Sequence, residues 1–438
     1  MATNKDEWLK KLYEDIEQLT NFLRKHWKLI NLHMNDFIID NLWDIYLDVT
    51  AESSEEDFIA TCNHLGFIGC CYSNQKCCVQ QCLGGNNNTK ISHETASSSL
   101  NTFTSEKKYY EVQKLAPSIY KTANRILCNQ VVDLGSGKGY LGEYLAAEYH
   151  VNVLGVEGSS NHTTSAHSMH TKMIKAGKRM KENEFFKTVV SSVSSETIEG
   201  SDDFVKLLCQ HLRQHDSASE ELQGAVLTGL HACGDLTSTA IKLFMKEEYF
   251  QALHIVGCCY NLITDHQETG FPMSKYLNNQ DFKLGKNAKM LACQCPERWK
   301  ATSQTLGESL LYRAILEKIL QDKDIKREVL TDVRFRSVGR KSNSFQAYIK
   351  NVAKKLNPPE LKITEEEVDE YLSMYKNVWE KMKRYHWLRM QLAPCIEKLI
   401  LLDRLCCLVE SGFASASIIQ IFSSVISPRC YALVCMKS

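Results

Sequence analysis

A glycine-rich turn between an apolar run and a helical segment is the strongest constraint on the fold of this 438-residue chain. Residues 131–134 are Val-Val-Asp-Leu, which predicts a short strand buried on both faces of a parallel sheet. Gly135, Gly137 and Gly139 follow at alternate positions, and residues 140–149 predict a helix. Glycine permits positive φ and close approach to a ligand, while the free N–H groups of the helix start face the turn. We therefore expect a polar ligand at the end of this first strand.

The next apolar run supports a nucleoside ligand over other ligands. Residues 151–156 predict a second strand that ends in Glu157, about 20 residues after the glycines, where an acid accepts ribose hydroxyls in nucleoside sites. A phosphate-binding loop would need Ser or Thr after Lys138, but Gly139 stands there. A dinucleotide fingerprint spaces its glycines by one and then two residues, unlike this chain. A purely structural turn is the third interpretation.

The spacing Asp133-x-Gly135-x-Gly137-x-Gly139 resembles the first motif of class I S-adenosylmethionine methyltransferases. In that motif the acid or its neighbours help hold the methionine end of the cofactor, and the glycines pass beneath it. The resemblance implies S-adenosylmethionine as cofactor, bound by Asp133, the three glycines and Glu157. It implies an α/β fold with a Rossmann-like sheet.

Composition limits the class of protein. Eighteen cysteines lie in a long chain with a polar amino terminus, which predicts free thiols in a reducing compartment, cytoplasmic or nuclear. No apolar run reaches the ~18 residues that span a bilayer, since 396–408 is short and charged, so no membrane partner is expected. Fifty-two basic and 52 acidic residues cancel, so net charge says nothing about nucleic acid. Nothing in the sequence indicates an oligomeric state.

The chain divides into three predicted parts. Residues 8–49 carry apolar residues at helical spacing, and we predict an N-terminal helical region over 1–83. Residues 84–105 lack apolar periodicity and predict a flexible linker. The methyltransferase domain would span 106–438. It would begin with a helix over 107–127.

Later strands are predicted where short apolar runs alternate with helices. We place strands three, four and five at 188–193, 225–230 and 253–257. Two more runs, 418–422 and 431–436, flank the turn formers Ser427-Pro428-Arg429 and predict a terminal antiparallel hairpin. About 150 residues then separate strands five and six, and such long connections are usually functional. We predict a helical, substrate-recognising insertion over 265–412.

Two polar clusters follow strands four and five, at the sheet edge where open α/β folds carry their chemistry. After strand four, His231 and Asp235 are candidate catalytic groups, as a proton acceptor and an orienting acid. After strand five, Tyr260 and Asn261 are candidate substrate contacts. Each residue alone is as well explained by ordinary hydrogen bonding, but the pair of clusters favours a site.

Cysteines in the same two clusters suggest a second chemistry. His231, Cys233, Cys258 and Cys259 could form a tetrahedral zinc set. Because adjacent residues on a strand point to opposite faces, the Cys258-Cys259 pair argues against this, and we predict no metal. The other cysteine-rich stretch has no standard ligand spacing and is interpreted as structural or incidental thiols; it contains Cys62, Cys70, Cys71, Cys77, Cys78 and Cys82.

Local basic clusters favour a polyanion modestly. Arg334, Arg336, Arg340 and Lys341 are the densest part of one cluster and are candidate substrate contacts, which makes RNA the expected partner. A second group contains Lys172, Lys175, Lys178, Arg179 and Lys181. The alternative is a solvated helix face.

Several motifs together resemble one family. They include Ser105-Glu106-Lys107-Lys108, the glycine turn, His231-Ala232-Cys233-Gly234-Asp235, Gly270-Phe271-Pro272-Met273-Ser274 and Ser427-Pro428-Arg429. This set resembles the methyltransferase-like protein 25 family, which includes proteins called ribosomal RNA adenine dimethylase domain-containing. The resemblance implies a class I methyltransferase fold with S-adenosylmethionine as cofactor. Our functional prediction is a methyltransferase acting on a macromolecule, with RNA favoured over protein. The alternative is a catalytically silent scaffold of the same fold that binds RNA or a protein partner.

Overall fold

The computed structural model describes residues 2–74, 104–175, 186–191, 193–213, 224–265, 270–331, 333–356 and 363–437. Helices in the first half are α1 (Ala2–Lys25), α2 (Trp27–Asn31), α3 (Leu42–Glu52), α4 (Glu55–Gly66), α5 (Glu106–Arg125), α6 (Tyr140–Tyr149), α7 (Ser160–Lys175), α8 (Ser195–Glu199), α9 (Ser201–Arg213) and α10 (Leu236–Lys246). Those in the second half are α11 (Lys275–Asn279), α12 (Gly285–Leu291), α13 (Pro296–Ala301), α14 (Ser309–Asp322), α15 (Phe335–Arg340), α16 (Phe345–Ala353), α17 (Glu365–Tyr375), α18 (Val378–Met390) and α19 (Ala393–Glu410). Short 3₁₀ turns cover Met34–Asp36, Tyr260–Leu262 and Arg327–Leu330.

One eight-stranded sheet organises the chain, in the order β1-β7-β8-β6-β5-β2-β3-β4. Its strands are β1 (Cys71–Ser73), β2 (Gln130–Leu134), β3 (Asn152–Glu157), β4 (Phe186–Val190), β5 (Ala225–Cys233), β6 (Phe250–Cys258), β7 (Ser417–Gln420) and β8 (Tyr431–Met436). The strands β2 to β6 are parallel, and β8 enters antiparallel between β6 and β7. The chain order reverses between β2 and β5, so the carboxyl ends of these two strands flank a crevice.

The predicted fold class is confirmed, and the elements differ mainly at their ends. The third strand is β4, which ends at Val190 rather than 193. The fourth strand continues to Cys233 because a bulge between Leu230 and Ala232 lets pairing with β6 resume. The terminal hairpin and the predicted fifth strand are present, with β6 longer at both ends. Residues 84–103 of the predicted linker lie outside the described part of the chain, as do Cys77, Cys78 and Cys82.

Two apolar cores cover the two faces of the sheet. One contains α5, α6 and the inner side of the hairpin, with Leu115, Leu145 and Ile419 among its buried residues. The other joins the N-terminal helices, α10 and α19 into one cluster. One of its helices, α19, is buried along nearly its whole length. The predicted N-terminal region and the predicted insertion therefore pack together behind the sheet.

The strand β1 was missed by the sequence analysis. It pairs antiparallel with β7, with Cys71 opposite Ile419, and Gln420 N donates to the Cys70 carbonyl at 3.0 Å. Its three residues, Cys-Tyr-Ser, are too few to show an alternating pattern. The N-terminal region is therefore not purely helical, and it contributes the edge of the sheet.

Candidate active site

The glycine turn after β2 has the backbone geometry that its sequence predicts. Gly135, Gly137 and Gly139 adopt φ values of 69°, 58° and 76°, which side chains with a Cβ rarely tolerate. A Cβ on Gly135 would lie 2.9 Å from Leu236 Cδ2, so helix α10 restricts that position. A Cβ on Gly137 would meet only Gly135 O, at 4.0 Å. Gly137 therefore faces open space, where a ligand can approach the backbone.

Glu157 lies at the end of β3, beside this turn. Its carboxylate accepts hydrogen bonds from Gly137 N at 2.8 Å and from Ser159 N at 3.0 Å. The side chain is 13% exposed, so one edge of the carboxylate reaches solvent. Glu157 is therefore fixed next to the turn with oxygens available to a diol.

Asp133 is buried beneath the turn and has an oxygen without a protein partner. The residue is 2% exposed, and Oδ1 makes no hydrogen bond to the described residues. Burial, and then the nearby Glu157 carboxylate, raise the pKa of Asp133 to about 8. A buried carboxyl in this state favours a cationic ligand, because a positive charge would stabilise its ionised form.

A cleft of about 150 Å³ connects the glycine turn and Asp133 to the end of β5. Its walls come from α5, the turn, the start of α6 and β5, and include Lys108, Glu111, Asp133, Gly135, Gly137, Tyr140 and His231. Open α/β sheets bind their ligands at this topological switch point. The turn and Asp133 form one side of the cleft, and His231 with Glu111 forms the other.

His231 occupies the β5 bulge in a left-handed conformation, with φ of 64°. Its Nε2 lies 3.0 Å from Oε2 of Glu111, a residue of α5 that is 1% exposed. Ser427 Oγ donates to the other Glu111 oxygen at 2.6 Å. Burial alone would raise the pKa of Glu111, but hydrogen bonds from His231 and Ser427 lower it overall. The bulge thus directs an imidazole, oriented by a buried carboxylate, into the cleft.

Asp235 is not brought together with His231. Its Oδ1 accepts a hydrogen bond from Thr264 N at 2.9 Å and holds the chain that follows β6. It is not among the residues that line the cleft. Asp235 therefore makes a structural contact. The orienting role that the sequence predicted for Asp235 is occupied by Glu111, which pairs with His231.

Three of the four candidate soft ligands, Cys233, Cys258 and Cys259, converge. The expectation that adjacent cysteines would point to opposite faces is wrong here. Cys233 Sγ lies 3.0 Å from Cys258 Sγ and 3.3 Å from Cys259 Sγ. Cys259 follows the end of β6 with φ of 50°, so the alternation of side chains along a strand does not apply to it. The imidazole of His231 instead pairs with Glu111. A hydrogen bond from Cys258 lowers the pKa of Cys233 to about 6, against the effect of burial.

The predicted substrate contacts after β6 separate into a buried and an exposed residue. Tyr260 is 1% exposed, and its hydroxyl donates to Glu397 Oε1 at 2.9 Å. Arg429 Nη1 donates to the same oxygen at 2.8 Å. This placement makes Tyr260 part of a buried polar network and does not support contact with substrate. Asn261 is exposed and accepts a hydrogen bond from Cys293 Sγ at 3.4 Å.

The predicted basic contacts with substrate lie within the helical segment predicted as an insertion. They lie at and around α15 and do not line the cleft; they are Arg334, Arg336, Arg340 and Lys341. The side chains of the second basic group lie outside the described part of the structure; they belong to Lys172, Lys175, Lys178, Arg179 and Lys181. No helix in the described ranges combines the length and apolar character needed to cross a bilayer.

Two residues of the site were missed by the sequence analysis. Glu111 is an acid within an amphipathic helix, and Ser427 belongs to a turn, so neither differs from a surface residue in its local pattern. Both lay within or near motifs that carry the family resemblance, but without an assigned role. The helical spacing that puts Glu111 on the apolar face of α5 is the one signal that could have drawn attention to it, and Ser427 has no such signal.

Comparison with known proteins finds a methyltransferase domain in the same part of the chain. Residues 107–266 match a family described as Methyltransferase domain. A Mus musculus protein named probable methyltransferase-like protein 25 is 25% identical, over 97% of this chain and 96% of its own. A Homo sapiens protein of the same name is 28% identical, over 81% of this chain and 78% of its own. No solved structure matches.

The parallel strands, the antiparallel hairpin and the domain matched over residues 107–266 are those of the class I methyltransferase fold. As its motifs predicted, the chain resembles the two proteins named probable methyltransferase-like protein 25, over nearly its whole length for the mouse protein and over about four fifths of it for the human one.

Proposed function

We propose that this protein transfers a methyl group from S-adenosylmethionine to a macromolecular acceptor, with RNA favoured over protein. The observation that carries the proposal is the cleft in which the glycine turn and the unpartnered Asp133 oxygen meet the His231–Glu111 pair, with Glu157 hydrogen-bonded to the turn at Gly137 N. The donor's positively charged methionine end matches Asp133, and its ribose hydroxyls match Glu157. Gly135, Gly137 and Gly139 leave room for it to lie against the backbone.

The chemical work left to the protein is mainly positioning. The sulfonium of bound S-adenosylmethionine supplies an already activated methyl group. The chain must therefore hold an acceptor in line, exclude water and, where the acceptor carries a proton, accept it. His231 is the candidate proton acceptor because its imidazole enters the cleft, and Glu111 is its orienting partner.

A macromolecular acceptor fits the basic residues around α15. Arg336 and Arg340 lie one helical turn apart on α15, so their side chains extend from one face of the helix. Arg334 and Lys341 flank them. Closely spaced guanidinium groups favour phosphates, which makes a polynucleotide the preferred acceptor.

Calorimetry with S-adenosylmethionine tests the donor. Gly137→Arg should abolish binding, because the side chain would enter the open space beside the turn. The matched control is Gly412→Arg, since Gly412 has φ of 100° with no atom within 4 Å of its Cβ position and lies in the loop after α19. The Gly412→Arg variant has similar backbone strain outside the cleft and should bind S-adenosylmethionine normally. Unchanged affinity in Gly137→Arg would overturn the donor assignment.

Mass spectrometry of RNA and protein from cells lacking the chain tests transfer and acceptor. A methyl mark that is lost from RNA, and restored by wild type but not by Gly137→Arg, would support the proposal. A mark lost only from protein would identify a protein acceptor. No lost mark in either fraction would favour the catalytically silent scaffold.

RNA binding itself is tested by charge reversal. Arg336→Glu/Arg340→Glu should weaken RNA binding and lower its salt dependence by about two counterions. Lys10→Glu/Lys206→Glu makes the same charge change on two exposed side chains of α1 and α9 and should have little effect. Equal weakening by both pairs would show that binding does not depend on α15.

A further inference from the structure

The cysteine cluster at the ends of β5 and β6 is outside the cleft and unused by the proposed reaction. It comprises Cys233, Cys258 and Cys259, and all three separations between their sulfurs are short: 3.0, 3.3 and 3.5 Å. It is a group of potential metal ligands whose donor atoms lie within 4.8 Å of one another. All three are free thiols.

These separations are close to those of a thiolate metal site. Zinc binds thiolate sulfur at about 2.3 Å in tetrahedral geometry, which places the sulfurs ~3.8 Å apart. Each observed separation is therefore within ~1 Å of that edge length, and side-chain adjustment alone can accommodate an ion. A disulfide would require a sulfur separation of about 2.05 Å.

A buried cation behind the cluster is an independent observation. Arg404 of α19 is 2% exposed, and neither Nη1 nor Nη2 has a hydrogen-bond partner in the described residues. Burial lowers its pKa, and the acidic groups that act against this include Asp403, Asp235 and Cys258. The guanidinium reaches the end of β6, because a Cβ on Gly257 would lie 2.7 Å from Arg404 Nη1. A buried guanidinium whose N–H groups are unsatisfied is costly unless an anion compensates it.

Charge balance then selects the kind of ligand. Three thiolates around a divalent cation carry one net negative charge, which the buried Arg404 guanidinium offsets electrostatically. Binding the ion displaces the thiol protons to solvent. Soft sulfur ligands favour zinc over magnesium or calcium, which prefer oxygen.

We propose that Cys233, Cys258 and Cys259 bind one zinc ion with an open fourth position. Cys233 is exposed, so the cluster is accessible from solvent on one side. His231 is held by Glu111, and Cys293 donates to Asn261, so neither is directed at the ion. Catalytic zinc sites have this form, with three protein ligands and one position for water or substrate. The zinc site lies two residues along β5 from His231.

Metal analysis of untagged protein, purified in a chelator-free reducing buffer, tests the proposal. Wild type should contain about one zinc per chain. Cys258→Ser and Cys233→Ser should each lose most of it, and the exposed position of Cys233 makes its variant the less disruptive to folding. Cys70→Ser, which changes an exposed thiol outside the cluster, is the matched control and should keep the zinc. Full zinc content in Cys233→Ser/Cys259→Ser would overturn the site.

Spectroscopy tests the open position. Cobalt added to zinc-stripped protein should give thiolate charge-transfer bands and tetrahedral d–d bands, which Cys233→Ser weakens. X-ray absorption should show three sulfurs at about 2.3 Å and one lighter atom. Cys293→Ser should keep its zinc, and loss of the ion there would overturn the open fourth position. If the protein takes up no metal and contains a Cys233–Cys258 disulfide, the zinc site is overturned, and the two cysteines form a redox pair instead. These readouts need no methyl donor and stand apart from the transfer reaction.

Discussion

The two sides of the cleft are built in different ways. The donor side comes from one continuous segment, in which Gly137 and Glu157 are 20 residues apart and joined by a 2.8 Å hydrogen bond. The acceptor side joins distant parts of the chain, since Glu111 lies 120 residues from His231 and 316 from Ser427. A local motif thus defines the donor side, whereas the acceptor side exists only once α5, β5 and the terminal hairpin have packed.

This difference predicts that the two sides respond differently to substitution. Changes on the donor side should alter affinity for S-adenosylmethionine with little effect on folding. Changes in the network behind the acceptor side should alter stability or transfer and leave donor affinity nearly unchanged. The following variants test that separation.

The largest effect is expected from Arg429→Met. Arg429 is 8% exposed and donates to Glu397 at 2.8 Å and to the Ala292 carbonyl at 2.7 Å. Its loss leaves the Glu397 carboxylate buried without its cation, which should lower the free energy of unfolding by about 3–5 kcal/mol. Urea unfolding measures this. Arg429→Met/Glu397→Gln removes both charges and should recover part of the loss; no recovery would mean that the carbonyl contacts dominate.

A smaller effect, on transfer alone, is expected from Glu111→Gln. Loss of the carboxylate leaves His231 without its charged partner, and loss of such orienting partners typically costs roughly 10- to 100-fold. Labelled methyl transfer into RNA from cells lacking the chain measures the rate. Donor affinity, measured by calorimetry, should change less than about twofold. A parallel fall in both would show that the two sides are not separable.

Asp133→Asn should change how donor affinity depends on pH. Because the pKa of Asp133 is raised to about 8, the carboxyl is mostly neutral below that pH and ionised above it. A cationic donor favours the ionised form, so the affinity of wild type relative to that of the Asp133→Asn variant should rise between about pH 6 and pH 9, by roughly tenfold. The ratio of the two affinities at each pH cancels titration of the ligand. A constant ratio would place Asp133 outside the donor site.

The smallest effect is expected from Ser427→Ala. The hydroxyl donates to Glu111 at 2.6 Å in a buried position, so its removal should cost about 1 kcal/mol of unfolding free energy. Urea unfolding checks this against Ser411→Ala, a helix-end serine whose hydroxyl donates to a carbonyl of the preceding helix. Lys107 Nζ also lies 3.3 Å from Glu111 Oε1, so a loss no larger than in the control would show that Glu111 is satisfied by His231 and Lys107 alone.

The sequence predicted what depends on local pattern. The glycine turn, Glu157 and the terminal hairpin follow from residue type and spacing, because backbone conformation and strand alternation are short-range properties. The role of Glu111 could not be predicted, since burial of an acid depends on the elements that pack over it. The convergence of Cys259 with Cys233 could not be predicted either. It depends on the left-handed conformation of Cys259, and two adjacent cysteines give no indication of that conformation.

The short strand β1 links the order of synthesis to the integrity of the fold. Its partner β7 follows much later in the chain, at Ser417–Gln420, so Cys71–Ser73 cannot pair until that segment has been synthesised. Without β1, the strand β7 would have an open edge, and open edges promote aggregation. A variant that lacks β1 would expose the edge of β7. The amino-terminal segment therefore protects the edge of the sheet against pairing with other chains.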